Sequence, residues 1–290
     1  MKKNKKIIIF LCFFLIAVLG IKFYRMFFSR PYYGPRILFE ANFESGNSLT
    51  DMGFKYSGNK TARIAKIGGR SAVKISLNRL EDEFSYRSEI ELNALPRPNF
   101  KKHKIHGEQH STAIIGKEYR YSIMTFLPED WQFESYSKII MQWHGCPDWN
   151  RGEKWRNPPI SLKIFESESG EGSNYHLRIT TDSNQVTGPR GPYEVNENID
   201  LGSIVGDLGK WTYWEFQIKW SYQNDGSIIV WKDGEIVLQR KAQANTYNDK
   251  YGPFWKFGVY IPHWKKNSKQ LPGVEHYTAY FDNVRIVAIK

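Results

Sequence analysis

Two cysteines in 290 residues are too few to organise a fold. Cys12 lies in an apolar N-terminal run, so Cys146 is the one thiol of the folded part. No disulfide can close within that part, and no cysteine-built metal cluster can form there. Sustained 3.6-residue periodicity is missing as well, and only Glu129–Tyr136 suits a turn of helix. No internal repeat or low-complexity tract occurs. A nucleic-acid recognition motif and a long Lys/Arg stripe are both absent, which argues against a nucleic-acid partner.

Acidic residues are absent from the first 30 positions, which hold seven of the 41 basic residues. The remainder carries 34 basic against 30 acidic residues, so the overall charge of +11 falls to +4 beyond that segment. A mildly basic body permits an anionic partner without demanding one. The segment itself runs from lysines into IIIFLCFFLIAVLG, a basic region followed by an apolar one, as in export signals. As a helix, Ile7–Ile21 would span about 22 Å, short of the roughly 30 Å hydrocarbon core. Phe23–Phe28 extends it if Lys22 and Arg25 snorkel. Residues 1–28 therefore read as a signal peptide or an uncleaved membrane anchor, with a buried N-terminal helix as the bland alternative. The first two place the rest of the chain outside the cytoplasm. Ser29–Arg36, with two prolines and a glycine, reads as a linker.

What is abundant is aromatic: 10 Trp, 17 Tyr and 18 Phe. These suit strands and also sugar-binding surfaces, where flat rings stack on pyranose faces. From Ile37 onward the stretches Ala72–Leu77, Tyr119–Leu127, Ile160–Phe165, Tyr175–Thr181, Trp211–Trp220 and Tyr277–Ile289 read as strands. Asp233-Gly234, between Ile228–Trp231 and Glu235–Gln239, marks a hairpin. Many short strands over about 250 residues indicate one all-β sandwich or jelly roll across 37–290.

Three stretches carry the chemistry: Tyr86–Leu92, Lys138–His144 and Phe254–Ile261. Strand side chains alternate between faces. Strict alternation groups Arg87, Glu89 and Glu91; Lys138, Ile140, Gln142 and His144; and Phe254, Lys256, Gly258 and Tyr260. Each strand then has a core side and a polar side able to line a groove. The motifs Arg87-Ser88-Glu89, Gln142-Trp143-His144 and Lys256-Phe257-Gly258-Val259-Tyr260 resemble the signature strands of jelly-roll polysaccharide lyases. The likeness is nearest to the group holding heparin lyase I and glucuronan lyase, with alginate lyases of the same fold related. Gly116–Trp131 and Phe281–Val287 share it, and the resemblance spans roughly 37–290.

That resemblance implies a β-jelly roll, a concanavalin A-like sandwich of two antiparallel sheets with a concave groove. It also implies β-elimination on a uronic-acid polysaccharide. Removing the C5 proton requires that the neighbouring carboxylate be neutralised, a role implied for Gln142, His144 and Arg87. Tyr260 would act as base and acid, with Lys256, or else Arg87 or His144, favouring its phenolate, and His144 would be the base for the opposite stereochemistry. Glu89 would orient Arg87, and Glu91 is read as solvated.

Substrate contacts are expected from Glu89, from Trp149, Arg151, Trp155 and Arg156 in the loop Gly145–Pro159, from His110 and from Trp264. A second long loop is expected over Asp182–Asp200. The irregular spacing of His103, His106 and His110, with no strand frame, argues against zinc. No cofactor is expected for the chemistry, though the resemblance allows a structural calcium held by Glu44 and Asp282. A monomer that meets the membrane only through its N-terminal segment is expected. The competing readings are a non-catalytic carbohydrate-binding sandwich and a glycoside hydrolase of the same architecture. The latter is disfavoured because Asn198-Ile199-Asp200 lacks the first acid of an E-x-D-x-E strand.

Overall fold

The computed structural model describes residues 35–81, 86–92, 101–105, 108–166, 172–267 and 273–289, with backbone alone at 101–105 and 108–110. The N-terminal segment expected to direct export lies outside the described residues, as does His106. Among the described residues no helix is long and apolar enough to cross a membrane.

Two antiparallel sheets contain nearly every strand. One is built from β1 (Arg36–Ala41), β3 (Arg63–Ile67), β4 (Arg70–Asn78), β8 (Glu118–Phe126), β13 (Trp211–Lys219), β14 (Ser227–Lys232), β15 (Glu235–Lys241) and β17 (His276–Ala288). Its order is β15-β14-β13-β8-β17-β4-β3, with β1 also paired to β17. The other holds β2 (Phe54–Gly58), β5 (Arg87–Leu92), β9 (Lys138–Cys146), β10 (Ile160–Glu166), β11 (Ser173–Thr181), β12 (Val195–Ser203) and β16 (Tyr251–Tyr260). Its order is β12-β11-β10-β9-β16-β5-β2, so the three motif strands lie side by side in its middle. The fold is a β-jelly roll.

Alternation explains the packing. On β13, Thr212, Trp214, Phe216 and Ile218 are buried while their neighbours are partly exposed. Phe216 meets Trp143 from the opposing sheet, with ring centroids 4.9 Å apart. Trp143 and Trp255 are cross-strand partners and stack at 5.8 Å with planes 10° apart. Aromatic pairs of this kind add about 0.5–1.5 kcal/mol beyond the burial of their area. The same two residues follow Gln142 and precede Lys256, so the core stack fixes the strands that present those groups to the other face.

Four elements depart from the sequence expectation. Val195–Ser203 forms an edge strand, so the second long loop ends earlier than Asp200. Glu129–Tyr136 forms no helix, and a single helical turn sits instead at Trp264–Asn267. Lys101–Ile105 and Glu108–Thr112 pair as a hairpin, β6 and β7, with His103 opposite His110, so a strand frame does exist there. Finally, β9 carries a bulge. Leu162 and Lys163 of β10 face Met141 and Ile139, leaving Ile140 as the extra residue. Ile140 and Met141 both enter the core, and the alternation reverses below them. Ile139 therefore lines the groove, whereas Lys138 is buried and donates to the Glu134 carbonyl at 2.7 Å. Burial pulls the Lys138 ammonium down to about 8.

Candidate active site

A cavity of about 950 Å³ lies across β2, β5, β16, β9, β10 and β11. Among the described residues, six basic side chains line it (Arg87, Arg156, Lys163, Arg178, Lys256 and Lys265) against one carboxylate, Glu91. Such a wall suits a polyanion.

The register brings the motif residues together. Tyr260 faces Arg87, Gly258 faces Glu89, and Lys256 lies between Glu91 and Gln142. Gly258 is needed for this approach. At its φ of +151°, an added β-carbon would lie 2.3 Å from the Ser88 carbonyl oxygen and 2.6 Å from the Glu89 α-carbon. The strands can close only because no side chain intervenes.

The Arg87 guanidinium sits 4.1 Å from the centre of the Tyr260 ring. Burial alone would lower its affinity for its proton, but Glu89 and Tyr260 outweigh burial and raise it. Glu89 is 1% exposed. One of its oxygens accepts from the Gln142 amide and the other lies 3.7 Å from Arg87 Nε. This single carboxylate thus orients the two donors expected to neutralise a substrate carboxylate.

Lys256 is not the partner of Tyr260. It donates to Ser57 Oγ at 3.1 Å and lies 4.0 Å from Glu91. Burial pulls its proton affinity down, offset in part by Glu89 and Glu91. Glu91 is buried rather than solvated, and it pairs with Lys55 at 2.9 Å. The cations beside Tyr260 are Arg87 and Lys265, the latter 5.1 Å from the ring centre.

His144 stacks on Phe254 at 5.6 Å and takes the edge of Trp155 at 4.9 Å. Its Nδ1 lies 3.0 Å from the Gly145 carbonyl. A carbonyl only accepts, so Nδ1 carries the proton and Nε2 keeps its lone pair. Burial, then Lys256 and Arg87, hold the imidazole well below its usual range. It is therefore neutral at ordinary pH, with an acceptor atom available. That arrangement suits a base, and not the carboxylate-neutralising donor expected from the sequence.

The loop after β9 divides its four candidates. Trp155 is 41% exposed and lines the groove. Trp149 packs beneath it, ring centres 5.4 Å apart. Arg151 lies outside the cavity lining, 4.0 Å from Asp148. Arg156 is buried between Glu153, at 2.8 Å, and Asp249. Glu153 also accepts from the backbone N–H groups of Asp148 and Thr187. These bonds fasten the loop to the sheet, and Arg156 reaches the groove with its charge already balanced.

Trp264 is fully buried and donates to the Tyr136 hydroxyl at 3.1 Å, so it cannot meet substrate as expected. His110 lies on β7, and its side chain is not described. The groove residues Ser161, Lys163, Arg178 and Lys265 escaped the sequence reading. Alternation within Ile160–Phe165, with Ser161 and Lys163 opposite Leu162 and Ile164, was the signal that could have found two of them.

The proposed calcium ligands are occupied by donors. Glu44 accepts from the Ser71 N–H at 2.7 Å, its hydroxyl at 2.9 Å and Lys66 at 3.2 Å. Asp282 accepts from the Asn283 N–H at 2.7 Å and lies 3.6 Å from Arg70. Calcium takes six to eight oxygen ligands. Among the described residues no three His, Cys, Asp or Glu side chains group for a metal.

A jelly roll whose middle strands line a cationic groove with Arg, Gln, His and Tyr defines a class of carbohydrate-active protein. Residues 41–285 match the family described as polysaccharide lyase, and the chain belongs to that family. It is a polysaccharide lyase. Among solved structures it is similar to the endo-β-1,4-glucuronan lyase of the fungus Trichoderma reesei, with a TM-score of 0.61 and 19% identity over 86% of this chain and 94% of that one. It is also similar to a marine alginate lyase from Aplysia kurodai, with a TM-score of 0.55 and 11% identity over 87% and 99% of the chains. An alginate lyase from Chlorella virus gives a TM-score of 0.51 and 13% identity over 87% and 100%. At these identities the likeness concerns the fold. No curated protein sequence matches.

Proposed function

We propose that this lyase cleaves a uronic-acid-containing polysaccharide by β-elimination. The observation that carries the reading is one patch of the groove sheet in which Glu89 orients Arg87 and Gln142 beside His144 and Tyr260. Arg87 and Gln142 hold the substrate carboxylate and stabilise the negative charge that develops as the C5 proton leaves. Nε2 of neutral His144 takes that proton. The Tyr260 hydroxyl gives its proton to O4 as the C4–O4 bond breaks, and the new C4–C5 double bond marks the product. Where the C5 proton lies on the same side as O4, Tyr260 acts first as phenolate, taking that proton, and then returns it to O4 as the C4–O4 bond breaks. Trp155 stacks on a sugar face at the rim.

Glucuronan and alginate, the polymers named for the structural neighbours, are the first substrates to test. The basic and apolar N-terminus supports action outside the cytoplasm, either secreted or tethered. The test is ultraviolet absorbance of the unsaturated uronate on a panel of uronate polymers. Rising absorbance on one polymer, lost in both Tyr260→Phe and His144→Ala, is the expected result. Reducing ends without absorbance would mean hydrolysis, and binding with neither signal would leave a sugar-binding module.

A further inference from the structure

Two strands from Gln142, the groove holds basic groups that the reaction above does not use. The register runs Lys256, Gln142, Ser161, Arg178 across β16, β9, β10 and β11. At about 4.8 Å per strand, Arg178 lies roughly 10 Å from Gln142. Lys163 shares the face with Ser161, opposite Ile139.

We propose that Ser161, Lys163 and Arg178 form a second anion-binding subsite, which holds a carboxylate or sulfate ester on a sugar unit further along the chain from the reacting one. This inference rests on the uronate-lyase reading above.

Lys163 is only 9% exposed, yet it has no hydrogen-bond or ion-pair partner among the described residues. Burial, with Arg178 nearby, pulls it down to about 7. Arg178 donates one amino group to Asn196 at 2.9 Å, but its Nε is buried without a partner. The Ser161 hydroxyl is likewise buried without a partner. Other buried cations of the groove are balanced by protein carboxylates, Arg156 by Glu153 and Asp249 and Lys256 by Glu91. Among the described residues no carboxylate pairs with Lys163 or Arg178, and burying two basic groups side by side without one opposes folding. An anionic substituent arriving there would gain charge-assisted hydrogen bonds from three donors already in place.

The experiment is calorimetric binding of a uronate hexasaccharide in a Tyr260→Phe background, which suppresses turnover. Lys163→Met and Arg178→Gln are each compared with the parent, and thermal melts check folding. The proposal expects each to weaken binding about tenfold, the loss of one charged hydrogen bond, with Lys163→Arg restoring most of it. The carboxyl-reduced hexasaccharide should bind weakly and equally to all. A loss seen only with sulfated oligosaccharides assigns the subsite to sulfate; a loss with plain uronate assigns it to carboxylate. Unchanged affinity in folded Lys163→Met and Arg178→Gln overturns the subsite. Wild-type protein that binds in a Lys163-dependent way but makes no unsaturated product overturns the elimination reading and leaves the subsite standing.

Discussion

Replacing Gly258 with alanine tests whether the close approach of β5 and β16 builds the site. The new methyl would meet the Ser88 carbonyl at 2.3 Å, whereas carbon and oxygen normally come no nearer than about 3.3 Å. The strands must part by about 1 Å. Overpacking of this kind costs about 1–3 kcal/mol, and a side chain at positive φ adds about 1–2 kcal/mol. The sum, about 2–5 kcal/mol, lowers Tm by roughly 5–15 °C in a domain of this size. Arg87 and Tyr260 pair only two positions away, and a displacement near 1 Å costs about a hundredfold in rate. Differential scanning calorimetry reads the first effect. Initial rates of unsaturated product, taken well below both melting points, read the second. An unchanged Tm would refute the packing argument. A lowered Tm with unchanged kcat would refute the link between strand spacing and catalysis.

Four further expectations follow from the groove. Because His144 is held neutral, kcat at saturating substrate should show no loss of the base centred near pH 6.5; a fall centred there in a pH profile would contradict that environment. The same depressed affinity means the unfolded chain binds this proton more readily, so stability present above about pH 6.5 is progressively lost in more acid solution, and His144→Phe should flatten that slope in urea titrations. Trp155→Ala should raise KM about 2- to 10-fold with kcat kept, the equivalent of one lost aromatic contact; equal KM values would remove Trp155 from the substrate path. Arg156→Met, which strands the buried Glu153 and Asp249, should cost about 3–5 kcal/mol in chemical denaturation, whereas Arg151→Ala should change stability little, and the reverse order would invalidate the assignment of the loop pin.

The jelly roll and the middle of its groove were legible because both rest on period-two patterning. Gln142, His144, Arg87 and Tyr260 line the cavity as their strand faces suggested. The failures have one physical source, partners distant in sequence. The bulge at Ile140 exists only in the pairing with β10, so Lys138 was placed on the wrong face. Glu91 looked exposed because nothing local announces Lys55 on β2. Trp264 looked available because its burial depends on Tyr136 and Tyr86, the latter 6.1 Å away. Lys163 and Arg178 read as ordinary polar positions until the register aligned them with Gln142.

The paired indoles of Trp143 and Trp255 have a consequence in optics. Their rings lie nearly parallel and 5.8 Å apart, and coupling between transition dipoles falls with the cube of separation. The seam between the two strands that carry Gln142, His144, Lys256 and Tyr260 therefore has its own chromophore pair. Its circular dichroism couplet rises and fades with the register of those strands, a native reporter of groove integrity that needs no attached dye.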